Sequence, residues 1–341
     1  MEFVEIPGNP VPDHAVCEAL SAPGGAVLRA AYFGQTGGAG EGAPDRGCVV
    51  LLPGRVEFIE KYFEVVRELQ ARGFSVATLD WRGQGLSARM LPEPTKGHID
   101  SFQTYEQDLR YFIERFVRPR ASPPYLLLCH SMGGAIGLQT LLNGLPQVSA
   151  AVLCAPMTRI LPNPFVRAIA WMASEAACAF GQAAASAPAG GPRTDDPPPG
   201  AAPDDPMTHD AARSRRFTEL VAAAPGARLG GPTFGWLRAA FRASWSAMRP
   251  ASLRRLTTPM LIVSPRSDVL IDARSHDDLV CDAPKARLQR APGARHELLM
   301  ETDELRAIFW QAFDAFITDL EAARAMRGPE PGPHAAGPAA S

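Results

Sequence analysis

The stretch Tyr125-Leu-Leu-Leu-Cys-His-Ser131-Met-Gly-Gly-Ala-Ile-Gly-Leu138 runs from β-forming apolar residues into a turn that bears a serine, and then into a segment rich in small residues. Residues 125–129 predict a buried strand, and residues 131–143 a helix. A hydroxyl on a sharp turn between strand and helix stands clear of the sheet edge. So tight a turn leaves room only for small neighbours, which Gly133 and Gly134 supply. Ser131 is therefore a candidate nucleophile, and the Met132 amide, in the first helical turn, a candidate oxyanion donor. A serine after a strand is also a common helix cap, which is the bland alternative. In the pattern G-x-S-x-G, Cys129 stands where the first glycine is usual.

Outward from this turn, short apolar runs alternate with helix-length amphipathic segments, the pattern of a mainly parallel sheet covered on both faces. Strands are predicted at 48–52, 74–80, 125–129, 150–154, 260–264 and 286–290, the last an edge strand because Arg287, Gln289 and Arg290 interrupt it. Helices are predicted at 58–72, with Gly73 to end it, at 102–116 and 131–143, and after the last strand, where Leu305, Ile308, Phe309, Ala312, Phe313, Phe316 and Leu320 form one stripe. The alternation breaks between 157 and 250, which carries Phe165, Trp171, Met172, Phe180, Phe217, Trp236, Phe241 and Trp245 at helical character and reads as an inserted cap. The expected division is a core of residues 1–156 plus 251–326, a cap at 157–250 and a disordered tail at 327–341. Residues 183–206 collapse to Ala, Gly, Pro and Asp and are expected to form a mobile loop.

An isolated hydroxyl is a weak nucleophile, so Ser131 needs a base. With a nucleophile on a strand-turn-helix of this kind, the acid and the histidine follow in that order on loops after later strands. Of the downstream histidines, His209 falls in the insertion, His334 in the tail and His276 inside a helix predicted from Asp272. His296 falls in a loop, Pro292-Gly-Ala-Arg-His-Glu, between the last strand and the last helix, and is the candidate base. Asp268, in the loop after the strand at 260–264, is the candidate acid that fixes the imidazole tautomer. Asp272 reads as a cap, and Asp277 and Asp278 as a solvated face. The second oxyanion donor should come from Pro53-Gly-Arg55, by the Arg55 amide, unless this is a simple turn with its side chain in solvent. The Gly-rich run 80–87 lacks the third glycine of a dinucleotide fingerprint and the Gly-Lys-Ser/Thr of a P-loop, and reads as a tight loop beside the active site. His98 precedes the nucleophile and reads as structural.

The chain has 341 residues, 46% of them hydrophobic, enough for one large core plus an insertion. A net charge of −2 without a dense basic cluster argues against nucleic acid as a partner. The cysteines at 17, 48, 129, 154, 178 and 281 lack metal-ligand spacing and read as small buried hydrophobes in a reducing compartment. Glu2 and Glu5 stand where a signal peptide would carry positive charge, and no apolar stretch is long enough to span a bilayer. The expectation is a cytoplasmic protein, with any membrane contact peripheral to the inner membrane and made through the cap.

With these residues in place, the sequence resembles the lysophospholipase L2 and monoacylglycerol lipase branch of the α/β-hydrolases, often labelled with the serine aminopeptidase S33 domain. The resemblance rests on the stretches 52–63, 78–87, 97–102, His130-Ser-Met-Gly-Gly134, 258–263 and 296–301, which together cover most of residues 47–320. It implies the α/β-hydrolase fold with a helical cap, Ser131, Asp268 and His296 as triad, and Arg55 and Met132 at the oxyanion positions. The implied reaction is cleavage of a lipid ester, lysophospholipid or monoacylglycerol, through an acyl-serine, with no metal or organic cofactor. A peptidase or acyltransferase with the same triad, or a non-catalytic binding protein, are the alternatives. A dehalogenase or epoxide hydrolase would need a carboxylate at residue 131. Cys129, together with Pro265 and Arg266 in place of the usual Ala-Gly before the acid, departs from the family pattern.

Overall fold

The computed structural model describes residues 1–36, 45–188 and 205–327. Eight strands form one sheet: β1 (Ala15–Ser21), β2 (Val27–Phe33), β3 (Cys48–Leu52), β4 (Ser75–Leu79), β5 (Tyr125–His130), β6 (Val148–Cys154), β7 (Met260–Pro265) and β8 (Ala286–Ala291), in the order β1-β2-β4-β3-β5-β6-β7-β8. From β4 to β8 every pairing is parallel, whereas β1 and β2 join antiparallel at the other edge. The six strands expected from the sequence are all present, and β8 is the expected edge strand. β1 and β2 precede the first strand expected from the sequence. β1 is half exposed and patterned weakly, so its sequence carries little of the apolar signal of an inner strand.

Alternation along each strand divides the core. Val49, Leu51, Leu126 and Leu128 face α1 (Phe63–Ala71) and α9 (Asp303–Arg327), while Val50, Leu52, Leu127 and Cys129 face α2 (Phe102–Phe112) and α3 (Met132–Leu142). Between β6 and β7 the chain leaves the sheet and builds α4 (Pro164–Ala179), α5 (Ala211–Ala223), α6 (Phe234–Ala247) and α7 (Pro250–Leu253). α4 and α6 pack together, through the Trp171 and Trp245 rings at 5.0 Å, and α6 rests on α3. α5 lies instead against the segment before α1, with Phe217 on Phe58 at 5.8 Å. Of the low-complexity stretch, residues 189–204 lie outside the described residues, as do 328–341. α8 (Arg274–Asp282) follows β7; it begins after Asp272, whose carboxylate takes the Arg274 amide and side chain.

The cysteine reading holds for Cys48, Cys129 and Cys154, which are buried, but not for Cys281, which is exposed on α8; all six are free thiols.

Candidate active site

Ser131 sits between β5 and α3 with φ 49° and ψ −113°, a backbone conformation that side chains other than glycine seldom adopt. The turn is held by Ser131 N–H to the Cys154 carbonyl at 3.1 Å and by the Gly134 and Met157 amides to the Ser131 carbonyl, both at 2.9 Å. Its tightness explains the glycines: a Cβ on Gly133 would meet the Leu52 carbonyl oxygen at 2.2 Å.

Parallel strands bring the loops that follow β7 and β8 to the same edge of the sheet as this turn. His296 Nε2 lies 2.9 Å from Ser131 Oγ, and His296 Nδ1 lies 2.6 Å from Asp268 Oδ2. The second Asp268 oxygen accepts the Leu270 and Ile271 amides at 2.8 and 3.0 Å. Burial opposes the Asp268 charge, but His296 and these amides outweigh it and hold the carboxyl below its ordinary value. The hydroxyl, imidazole and carboxylate thus form one hydrogen-bonded chain. The amides of Arg55 and Met132 have no acceptor among the described residues, and the turn that carries Arg55 packs against the Ser131 turn through Leu52 and Pro53. His276 is elsewhere: it is buried between Ser264 Oγ and the Pro156 carbonyl, at 2.7 and 2.9 Å, and burial lowers its pKa.

The family described as serine aminopeptidase S33 matches residues 43–303. The chain belongs to this family. Among its relatives, lysophospholipase L2 of Escherichia coli K12 is 32% identical over 280 residues, 79% of each chain. The probable lysophospholipase L2 of Haemophilus influenzae is 26% identical over 278 residues, 80% of this chain and 84% of that one. In fold, the chain is similar to a soluble variant of monoglyceride lipase from Saccharomyces cerevisiae in complex with a substrate analog, with a TM-score of 0.70 and 17% identity over 94% of this chain and all of that one. The α/β-hydrolase architecture expected from the sequence is the one observed.

This S33 chain also carries, behind the triad, a buried charge network that the sequence reading left unassigned. Glu57 accepts hydrogen bonds from the Gly54 amide, the Tyr62 hydroxyl, Lys61 Nζ at 2.8 Å and His130 Nδ1 at 2.9 Å. His130 Nε2 donates in turn to the His296 carbonyl at 3.2 Å, and Lys61 reaches Glu297 at 2.6 Å. One carboxylate therefore ties the Pro53–Val56 turn to His130, the residue before Ser131, and through it to the loop of His296. Burial opposes the imidazolium of His130, but Glu57 and Glu297 outweigh it and raise its pKa to about 9. Glu57, His130 and Glu297 are close enough to bridge a metal ion, yet the Lys61 ammonium already occupies the position between the two carboxylates. The signal in the sequence was two acids and a lysine inside the apolar run 56–63, which a solvated turn would not need.

The unusual Cys129 is accommodated from the facing helix. A Cβ on Gly137 of α3 would meet the Cys129 sulfur at 2.8 Å, so a small residue on the helix has taken up the volume gained on the strand. Burial pushes the thiol pKa well up, leaving it unreactive. His98 is structural, as expected, with Nδ1 2.8 Å from the Thr233 hydroxyl at the start of α6. The 80–87 loop packs beside the site, where Gln84 takes the Val56 amide at 2.8 Å and touches Met132 Sδ at 3.3 Å. Arg55 departs from the solvent-facing alternative: its guanidinium lies beneath the insertion, donating to the Gly230 carbonyl at 2.6 Å and stacked 5.2 Å from the Trp236 ring.

Proposed function

We propose that the protein is a carboxylic ester hydrolase acting on lipid esters, lysophospholipid or monoacylglycerol, through an acyl enzyme on Ser131. The observation that carries this reading is the chain of hydrogen bonds from Ser131 Oγ through His296 to Asp268. His296 takes the hydroxyl proton as Ser131 attacks the ester carbonyl, and returns it to the departing alcohol; water then releases the acid by the same route. The Arg55 and Met132 amides, both without acceptors among the described residues, supply the oxyanion donors. The names of the lysophospholipase L2 relatives support a lipid ester over other acyl substrates.

A peptidase that holds a free amino terminus would need a spare carboxylate in the cap. Asp205 is taken by the Ser214 hydroxyl at 2.6 Å and the Met207 amide, while Asp210 caps α5 and pairs with Arg213. Asp204 lies outside the described residues.

The insertion from about 157 to 250 serves as the cap over this site. On α4, Phe165, Ile169 and Met172 recur at helical spacing and are 73%, 48% and 55% exposed, with Phe180 just beyond at 82%. Such a stripe supports peripheral contact with a lipid surface, the place where the substrate resides. No helix among the described residues is long and apolar enough to cross a membrane. Product mass spectrometry on a panel of lysophospholipids and monoacylglycerols tests the proposal. Release of free fatty acid by the wild type and not by Ser131→Ala is expected, and equal release by both would refute it.

A further inference from the structure

Beneath the cap lies a cation without a counter-charge among the described residues. The Arg55 guanidinium donates to one backbone carbonyl, its Nε is buried with no partner, and no carboxylate among the described residues lies within ion-pair distance. Removing a guanidinium from water without an anion costs several kcal/mol, and most arginines so placed are paired. Burial lowers the Arg55 pKa to about 10, which still leaves the group charged at neutral pH. Room for it exists because residue 97 is glycine: a Cβ there would lie 2.8 Å from Nη2.

The neighbours share the same shortage. The Tyr105 hydroxyl and the Trp236 indole N–H are buried, lie close to each other and to the Gln84 amide, and make no hydrogen bond of good geometry among the described residues. The Trp236 ring is the one stacked on Arg55, and the Arg55 charge acts on the Tyr105 phenol, whose pKa burial nevertheless raises to about 12. Tyr105 therefore keeps its proton and its capacity to donate. The neighbouring Gln84 carbonyl accepts from the Val56 amide at 2.8 Å. A guanidinium, a phenol and an indole whose donors lack a well-formed acceptor among the described residues make the lining that an anion requires.

The place is set by the fold. Gln84 lies between this cluster and Met132, which follows the nucleophile, and the Arg55 backbone belongs to the turn packed on Gly133. A lysophospholipid whose ester carbonyl is at Ser131 carries its phosphate a short glycerol bridge away. Cleavage leaves the carboxylate of the product fatty acid at Ser131 itself, so the anion suited to a separate donor cluster is the phosphodiester.

We propose that the Arg55 guanidinium, with the Tyr105 hydroxyl and the Trp236 indole N–H, forms a phosphate subsite that selects lysophospholipid over monoacylglycerol. This rests on the lipid esterase reading and sharpens it. A planar guanidinium matches two phosphate oxygens at once.

The test compares 1-oleoyl lysophosphatidylcholine with 1-oleoylglycerol, which share an acyl chain and differ in the phosphate. Wild type should prefer the lysophospholipid in kcat/KM. Arg55→Met should reduce that preference by roughly 10- to 100-fold, the worth of a hydrogen bond to a charged group. Tyr105→Phe, which removes one hydroxyl and little else, should reduce it by a smaller factor and guards against a folding defect in the first variant. In a second measurement, sn-glycero-3-phosphocholine should compete with p-nitrophenyl butyrate on the wild type, and more weakly on Arg55→Met. Equal losses on both lipids, or a preference unchanged in both variants, would overturn the phosphate subsite while leaving the esterase reading intact. Failure of the wild type to cleave either lipid would overturn both.

Discussion

Replacing Glu57 by Gln keeps the shape of the side chain and removes the charge on which the network behind the triad converges. The carboxylate faces the Lys61 ammonium, the His130 imidazole, the Gly54 amide and the Tyr62 hydroxyl, and burial makes each of these dependent on it. The interval from the ordinary imidazole value of 6.5 to about 9 for His130 corresponds to about 3 kcal/mol of stability. Because the folded value is raised, this contribution is fully present below about pH 6.5 and is lost as pH rises through about 9. Glu297, 3.9 Å from His130, retains part of it. Glu57→Gln should therefore unfold with about 2–3 kcal/mol less stability at pH 6.5, and the gap from wild type should narrow toward pH 9.5. Urea denaturation at both pH values measures this directly. The same substitution leaves the Gly54 amide facing a weaker acceptor or an amide donor, so kcat on p-nitrophenyl butyrate should fall by roughly 10²-fold as the oxyanion turn loosens. A gap that is the same at both pH values, or smaller than about 1 kcal/mol at pH 6.5, would refute the reasoning.

Asp268→Asn should preserve the fold but leave His296 in the wrong tautomer, lowering kcat by roughly 10⁴-fold with little change in KM, as steady-state kinetics would report. Gly137→Ala should destabilise the chain by about 1–3 kcal/mol, against the usual helix preference for alanine, because the new methyl meets the Cys129 sulfur. The double variant with Cys129→Gly should recover part of that loss in thermal unfolding, and strict additivity would show that the two sites are not coupled. Phe165→Ser with Ile169→Ser should lower co-sedimentation with phosphatidylglycerol vesicles; an unchanged bound fraction would remove α4 from the membrane contact.

The inner strands were legible because two-sided burial leaves a nearly continuous apolar run, as in Val49-Val-Leu-Leu52, whereas β1 was not, since a half-exposed edge strand lacks that signature, nor β2, whose buried run is interrupted by Arg29. Ser131, Asp268 and His296 could be picked out one by one because each follows a strand, and the parallel sheet delivers loops of that kind to one edge. The surroundings of Arg55 were hidden. Its carbonyl partner is Gly230, 175 residues away, and an arginine after a turn ordinarily faces water. His130 and Glu57 meet across 73 residues, so nothing local marked His130 as more than the residue before a serine.

Intact-protein mass spectrometry after treatment with a fluorophosphonate probe bears most directly on the role of Ser131. The expected result is one adduct per chain, mapped to Ser131 by peptide analysis, absent in Ser131→Ala and much slower to form in His296→Ala. Undiminished labelling of Ser131→Ala, or an adduct mapped to another residue, would contradict the assignment of the nucleophile and the acyl-enzyme chemistry built on it.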